Sequence, residues 1–227
     1  MPLRAIIFDF DGVLANTEPL HLRAYQDVLA PEGIVLSEHE YYARYLGFDD
    51  VAAFRAMGTD AGRAWTADDL ERLVMTKARR LETLEQNQPV LFPGAAEAVR
   101  RAAAVFPIAI ASGALGAEIR RVLERERLME QFVAIVAAED TPVSKPSPEP
   151  YLCALARLTS SRAVEIAARE CVAIEDSPWG LQSARAAGMR TVAVAQSYDA
   201  STLHFADLVI TEINSLDLDQ LAHLFDF

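Results

Sequence analysis

The sequence predicts an α/β protein: a parallel sheet flanked by helices, with an all-helical block inserted near its start. Three observations carry this. Short continuous runs of β-branched and small apolar residues recur along the chain, amphipathic helical periods separate them from residue 95 onward, and no such run lies between residues 17 and 89.

The elements follow in order. Residues 5–8, Ala-Ile-Ile-Phe, read as a strand, apolar throughout as expected when both faces are covered. A polar, turn-prone link, Val13 to Pro19, leads to a helix over 21–30 with Leu22, Tyr25, Val28 and Leu29 on one face. Ser37 and Glu40 form a capping box, and Thr66 with acids at 68 and 69 opens another helix. Helical patterns cover 50–57 and 66–85. From there helix and strand alternate: helices over 95–105, 115–127, 148–158, 178–187 and 216–224, strands over 108–111, 133–136, 171–174, 191–194 and 207–210. A second short helical stretch is expected near 163–168, and the link 159–165 reads as structural. The division expected is residues 1–15 with 91–227 as the α/β core, and 16–90 as the inserted block.

Composition narrows the function. A chain of 227 residues, 52% hydrophobic and 24% charged, buries a substantial core unaided. Its net charge of −12 disfavours nucleic acid and anionic membranes, both of which need a basic face. Cys153 and Cys171 belong to no CxxC pair, which suits free thiols in a reducing compartment. No apolar run reaches membrane-spanning length, and the first one ends in Asp9, unlike a secretory leader. A cytoplasmic, monomeric protein with neither nucleic acid nor membrane as partner is expected.

Parallel sheets of this kind bind ligands beyond the carboxyl ends of their strands, and polar groups cluster there. Asp9 and Asp11 follow the first strand, two positions apart and so on one side of an extended chain. Two carboxylates about 4 Å apart repel by roughly 4 kcal/mol at an effective dielectric of 20. Either a cation or a retained proton relieves this; a plain strand followed by an Asp-Gly turn is the other reading. Ser112-Gly113 follows the second strand as an anion cradle or a simple helix start. Lys145 lies between prolines ahead of a helix that Ser147 caps and Pro148 begins. Glu175-Asp176-Ser177 follows the fourth strand, and these acids with Asp9 and Asp11 suit a hard cation such as Mg²⁺.

In this order the pieces resemble the four motifs of the haloacid dehalogenase superfamily. The first is Asp9-Phe10-Asp11-Gly12-Val13-Leu14, the second Ser112, the third Lys145 in Lys-Pro-Ser-Pro, the fourth Glu175-Asp176-Ser177, extended by Gly180, Ala184, Ala187, Gly188 and Met189. The resemblance spans essentially the whole chain. The helical block resembles the small cap of the β-phosphoglucomutase and phosphoglycolate phosphatase branch. The resemblance implies a Rossmann-like core and a phosphoric monoester hydrolase acting on a small phosphorylated metabolite. Asp9 would be the nucleophile and Asp11 the general acid and base. Mg²⁺ would lie on Asp9, the Asp11 carbonyl and Asp176, with Glu175 direct or through water. Ser112, the N–H groups of Gly113 and Ala114, and Lys145 would hold the phosphoryl oxygens.

The second carboxylate, Asp11, separates this chain from the superfamily's dehalogenases. Thr17 and His21 match a cap-hinge pattern of β-phosphoglucomutase, and the resemblance implies a further substrate contact at the cap loop around Gly47. That loop reads Gly47-Phe48-Asp49-Asp50, acidic where the mutases carry an Arg for a second phosphate. Arg44, Arg55, Lys77 and Arg80 are the cations that could replace it. A phosphatase is therefore the first reading and a sugar phosphomutase the alternative. A silent phosphometabolite-binding protein comes third, because both aspartates are kept.

Overall fold

The apolar run at the start of the chain is a central strand, β1 (Ala5–Phe8), in the computed structural model, which describes residues 2–46, 48–162 and 165–226. The chain then enters four helices: α1 (Glu18–Leu29), α2 (Glu38–Glu40), α3 (Asp50–Asp60) and α4 (Ala67–Asn87). It continues through α5 (Ala95–Val105), β2 (Ile108–Ala111), α6 (Gly116–Arg125), β3 (Phe132–Val136) and α7 (Glu149–Arg162). It ends with β4 (Cys171–Glu175), α8 (Pro178–Ala186), β5 (Arg190–Val194), β6 (Leu208–Ile210) and α9 (Leu218–His223).

The sheet is parallel throughout, in the order β3-β2-β1-β4-β5-β6. Ile7 of β1 pairs with Ala109 on one side and Ala173 on the other. The four side chains of β1 are buried, as the unbroken apolar run requires. On one face Ala5, Ile7, Ala109, Ala111 and Ala173 pack against Tyr151, Ala154 and Leu158 of α7 and Ala184 of α8. Small residues on that face let the helices approach closely. Each large side chain sealed between the layers contributes about 1.5–3 kcal/mol.

The chain divides into two compact units, Met1–Asn16 with Val90–Phe227, and Thr17–Pro89. The second has a core of its own, built on Leu22, Tyr25, Leu29, Phe54, Met57 and Leu73. The expected capping box of Ser37 with Glu40 forms, and Thr66 makes a second one with Asp69. Among the described residues no helix is long and apolar enough to cross a membrane.

Local differences from the sequence reading have physical causes. α1 begins at Glu18, three residues early, because a proline in the first turn is compatible with helix. α7 begins at Glu149: the Ser147 hydroxyl accepts from the Glu149 N–H (3.3 Å), and Pro148 supplies the first carbonyl to Leu152 instead of joining the helix. α7 runs on to Arg162, past the expected 158. The second helical stretch expected at 163–168 begins on two residues outside those described; residues 165–167 carry no helix, and a 3₁₀ turn follows at Ala168–Glu170.

Candidate active site

Four loops at the carboxyl ends of the central strands carry the sequence-predicted core residues, and Asp9, Lys145, Glu175 and Asp176 meet there. After β1, the Asp9 N–H still bonds across the sheet to the Ile174 carbonyl (2.9 Å), so Asp9 is fixed by the ladder. The chain then turns tightly: Leu14 and Ala15 N–H groups both donate to the Phe10 carbonyl, and the Gly12 N–H donates to the Ala15 carbonyl (2.9 Å each). Gly12 has φ +76°, where a side chain is strained, and a Cβ there would fall 1.9 Å from Asp176 Oδ2. Glycine at 12 is what lets the Asp176 carboxylate lie against the turn.

After β2, Ser112 is buried, its N–H donating to the Val136 carbonyl (3.0 Å) and its hydroxyl accepting from the Ala114 N–H (3.1 Å). Gly113 borders open space: a Cβ on it would meet nothing within 4 Å. After β3, Lys145 folds inward. Its Nζ donates to Glu175 Oε1 (2.6 Å) and Asp9 Oδ2 (3.0 Å) and lies 5.2 Å from the centre of the Tyr151 ring. After β4, Glu175 is fully buried and accepts five hydrogen bonds, from Lys145 and the Tyr151 hydroxyl on Oε1, and from Asp176 N, Ser177 N and Ser177 Oγ on Oε2. Ser177 then caps α8 by accepting from the Gly180 N–H. Oxygens of Asp9, Glu175 and Asp176 lie within 4.8 Å of one another.

Residues 6–194 match the model of the haloacid dehalogenase-like hydrolases. The chain belongs to this family. It is 34% identical to protein CbbY of Rhodobacter capsulatus over 87% of this chain and 88% of that protein. It is 31% identical to hexitol phosphatase B of Escherichia coli K12 over 96% of each. The fold matches CbbY from Rhodobacter sphaeroides, solved in complex with phosphate, at a TM-score of 0.79 and 24% identity, covering 94% of this chain and 96% of that one. As an enzyme this hydrolase is a phosphoric monoester hydrolase.

The charges of the hydrolase's site are out of balance. Three buried carboxylates face one ammonium, leaving a net charge of two negatives in low dielectric. Each carboxylate pair repels by about 3 kcal/mol at this separation. Burial, then the charge of Glu175, pushes the Asp9 carboxyl up to about 7, against the pull of Lys145. Burial and the charges of Glu175 and Asp9 hold Asp176 well above the ordinary carboxylate range. Burial works against the Lys145 charge, but Asp9 and Glu175 outweigh it and raise the ammonium above its usual range. A divalent cation restores neutrality, and oxygen donors of this kind suit a hard ion.

Asp11 is half-buried, and its carboxylate stands outside the converging three. Thr17 and His21 belong to the helical unit. Thr17 is buried at the start of α1 without capping it. His21 Nδ1 lies 2.9 Å from Lys77 Nζ; an ammonium only donates, so Nδ1 accepts and the ring proton sits on Nε2. Gly47 lies outside the described residues.

Sequence reasoning missed three side chains. Tyr151 stands six residues beyond Lys145 on α7 and braces Glu175. Gln196 and Ser197 lie just beyond β5, after Ala195. Looking for polar groups after every strand, the fifth included, would have found that pair.

Proposed function

We propose that this hydrolase releases phosphate from a small phosphomonoester, a sugar phosphate or similar metabolite, in a Mg²⁺-dependent reaction through Asp9. The observation that carries it is Lys145, buried and shared between Asp9 and Glu175 beside Asp176.

Mg²⁺ would be held by the Asp9 and Asp176 carboxylates and the Asp11 carbonyl, and it would supply the charge balance that lets a phosphate dianion enter. Glu175 takes the outer role, since both its oxygens are engaged by five donors. An Asp9 oxygen attacks phosphorus, and the ester oxygen leaves with a proton from Asp11. Asp11 then takes a proton from water, whose oxygen attacks the phosphorus of the aspartyl phosphate. Inorganic phosphate leaves, and the Asp9 carboxylate is restored. Lys145, the Ser112 hydroxyl and the N–H groups of Gly113 and Ala114 hold the phosphoryl oxygens, where charge is spread in a loose transition state. The Ala114 N–H exchanges its bond to Ser112 for one to the phosphoryl group.

The helical unit supports a phosphatase over a mutase. Residues 17–89 carry thirteen acids against eight lysines and arginines. Of the four cations that could grip a second phosphate, Arg44 pairs with Asp60, Lys77 with Asp50 and Arg80 with Asp27. Asp49 caps α3 through the Ala52 N–H (2.7 Å). We assign substrate choice to this unit.

The test is a panel of phosphorylated sugars, sugar alcohols and small phosphoacids, each with and without Mg²⁺. Phosphate release from at least one, lost on chelation, is expected. No release from any would overturn the reading, and conversion of β-glucose 1-phosphate to glucose 6-phosphate would replace it with the mutase.

A further inference from the structure

Gln196 lies two residues beyond β5 and ties its loop to two other segments of the chain. Its Nε2 donates to the Gly12 and Val13 carbonyls (3.1 and 3.3 Å), and its Oε1 accepts from the Ile213 N–H (2.8 Å). The orientation of the amide is fixed by its partners, because carbonyls only accept and an N–H only donates. No other side chain of this length can donate twice at one end of the fork and accept at the other. The first of these contacts spans 184 residues of sequence.

The turn that Gln196 holds carries Asp11. The Asp11–Gly12 peptide plane is set by the Gly12 N–H bond to Ala15, and in a trans peptide the Asp11 carbonyl points the opposite way. Gln196 fixes the next two carbonyls. From the adjacent position, Ser197 hydrogen-bonds Asp176, and its Oγ lies 2.7 Å from where a Gly12 Cβ would be. The Gly12 turn is therefore gripped at its carbonyls by Gln196 and braced at its Cα by the Asp176 carboxylate that Ser197 holds.

We infer that Gln196 is a positioning residue for this reaction: through the Gly12–Val13 carbonyls it sets both the Asp11 carboxyl and the Asp11 carbonyl. The inference rests on the aspartate-based reading above. It does not touch substrate, and its effect passes entirely through the turn. Residues that orient metal ligands typically change affinity or activity by about 10–100-fold when removed.

Two variants separate positioning from fold support. Gln196→Met removes all three bonds at nearly constant volume. Gln196→Glu keeps the acceptor for Ile213 and loses both donors. Turnover of an aryl phosphate, Mg²⁺ affinity by calorimetry and the melting temperature are measured on each full-length variant. Both variants are expected to lose about tenfold or more of kcat, to keep a KM within about twofold of wild type and to bind Mg²⁺ about tenfold more weakly, with Gln196→Glu no more stable than Gln196→Met because its carboxylate faces two carbonyls. The inference fails if kcat and Mg²⁺ affinity of Gln196→Met stay within twofold of wild type, if Gln196→Glu turns over like wild type, or if neither variant folds, which would make the amide a prop of the fold. Asp9→Asn run alongside keeps the two readings apart: full activity there sinks the active-site reading, whereas a dead Asp9→Asn beside wild-type-like Gln196 variants sinks this inference alone.

Discussion

The Glu175 carboxylate occupies the space beside the bare Cα of Gly180, where a Cβ would come within 1.9 Å of Oε1. Glu175 is completely buried and held by five donors, so it has nowhere to retreat. Gly180→Ala must push the carboxylate away from Lys145 or shift the start of α8. Overpacking of this kind costs about 1–3 kcal/mol. We expect a melting temperature several degrees lower and kcat down by at least about tenfold, because Lys145 loses its anchor. Unchanged turnover in Gly180→Ala would show that Lys145 needs no support from Glu175.

Lys145 pairs with both Asp9 and Glu175, and its side chain is 9% exposed. Lys145→Met leaves three buried acids with no compensating charge. Removing one partner of a buried pair costs about 3–5 kcal/mol. For a domain of this size the lower figure corresponds to a drop of roughly 10 °C in melting temperature. Mg²⁺ should restore more of the melting temperature in Lys145→Met than it adds to wild type, since a ligand stabilises in proportion to its differential binding. Equal Mg²⁺ shifts in both proteins would mean that the ion does not meet these acids.

Asp9 carries the sign of the apo protein's pH dependence. Its carboxyl titrates near 3.8 when unfolded and near 7 in the folded, metal-free site. Between those values the folded state binds a proton that the unfolded state has lost, so stability falls as pH rises, and the full cost is present above about 7. Asp9→Asn removes that cost. Without Mg²⁺ at pH 8 the variant should melt above wild type by a few degrees; at pH 4 the two should converge. With saturating Mg²⁺ the order should reverse, and turnover should be lost at every pH. Melting curves across pH, with chelator and with Mg²⁺, check all of this.

Much of the site could be read in the sequence because backbone order places it there. Asp9, Lys145, Glu175 and Asp176 follow strands whose apolar runs have no other use, and a parallel sheet delivers such residues to one edge. The division of labour among the acids could not be read. Spacing makes Glu175 and Asp176 equivalent; only packing shows Glu175 braced by Tyr151 and seated against Gly180, with Asp176 against Gly12. The place of Gln196 after a strand could be read, but its role could not, because two of its partners lie at the other end of the chain. The start of α7 was misplaced by one residue because Ser-Pro reads as a cap and first position, whereas the hydroxyl of Ser147 reaches Glu149 with Pro148 still outside the helix.

The helical unit gives a prediction independent of the active site. Lys77 is 1% exposed, a poor environment for an ammonium unless it is matched. It is matched by Asp50 Oδ1 at 2.7 Å, which also accepts from the Tyr25 hydroxyl at 2.6 Å, and Nζ lies 4.9 Å from the centre of the Tyr25 ring. Asp50→Ala therefore leaves the buried Lys77 with His21 but without the opposite charge of Asp50, and removes the acceptor of a buried phenol, at a cost of about 3 kcal/mol. Replacing the pair by apolar groups removes the charge along with its partner. Lys77→Met with Asp50→Ala should therefore be more stable than Asp50→Ala alone, with a coupling of about 1–3 kcal/mol between the two sites. Chemical denaturation of the wild type, the two single variants and the double variant measures that coupling. A coupling near zero would mean that the Asp50–Lys77 pair does not stabilise the helical unit.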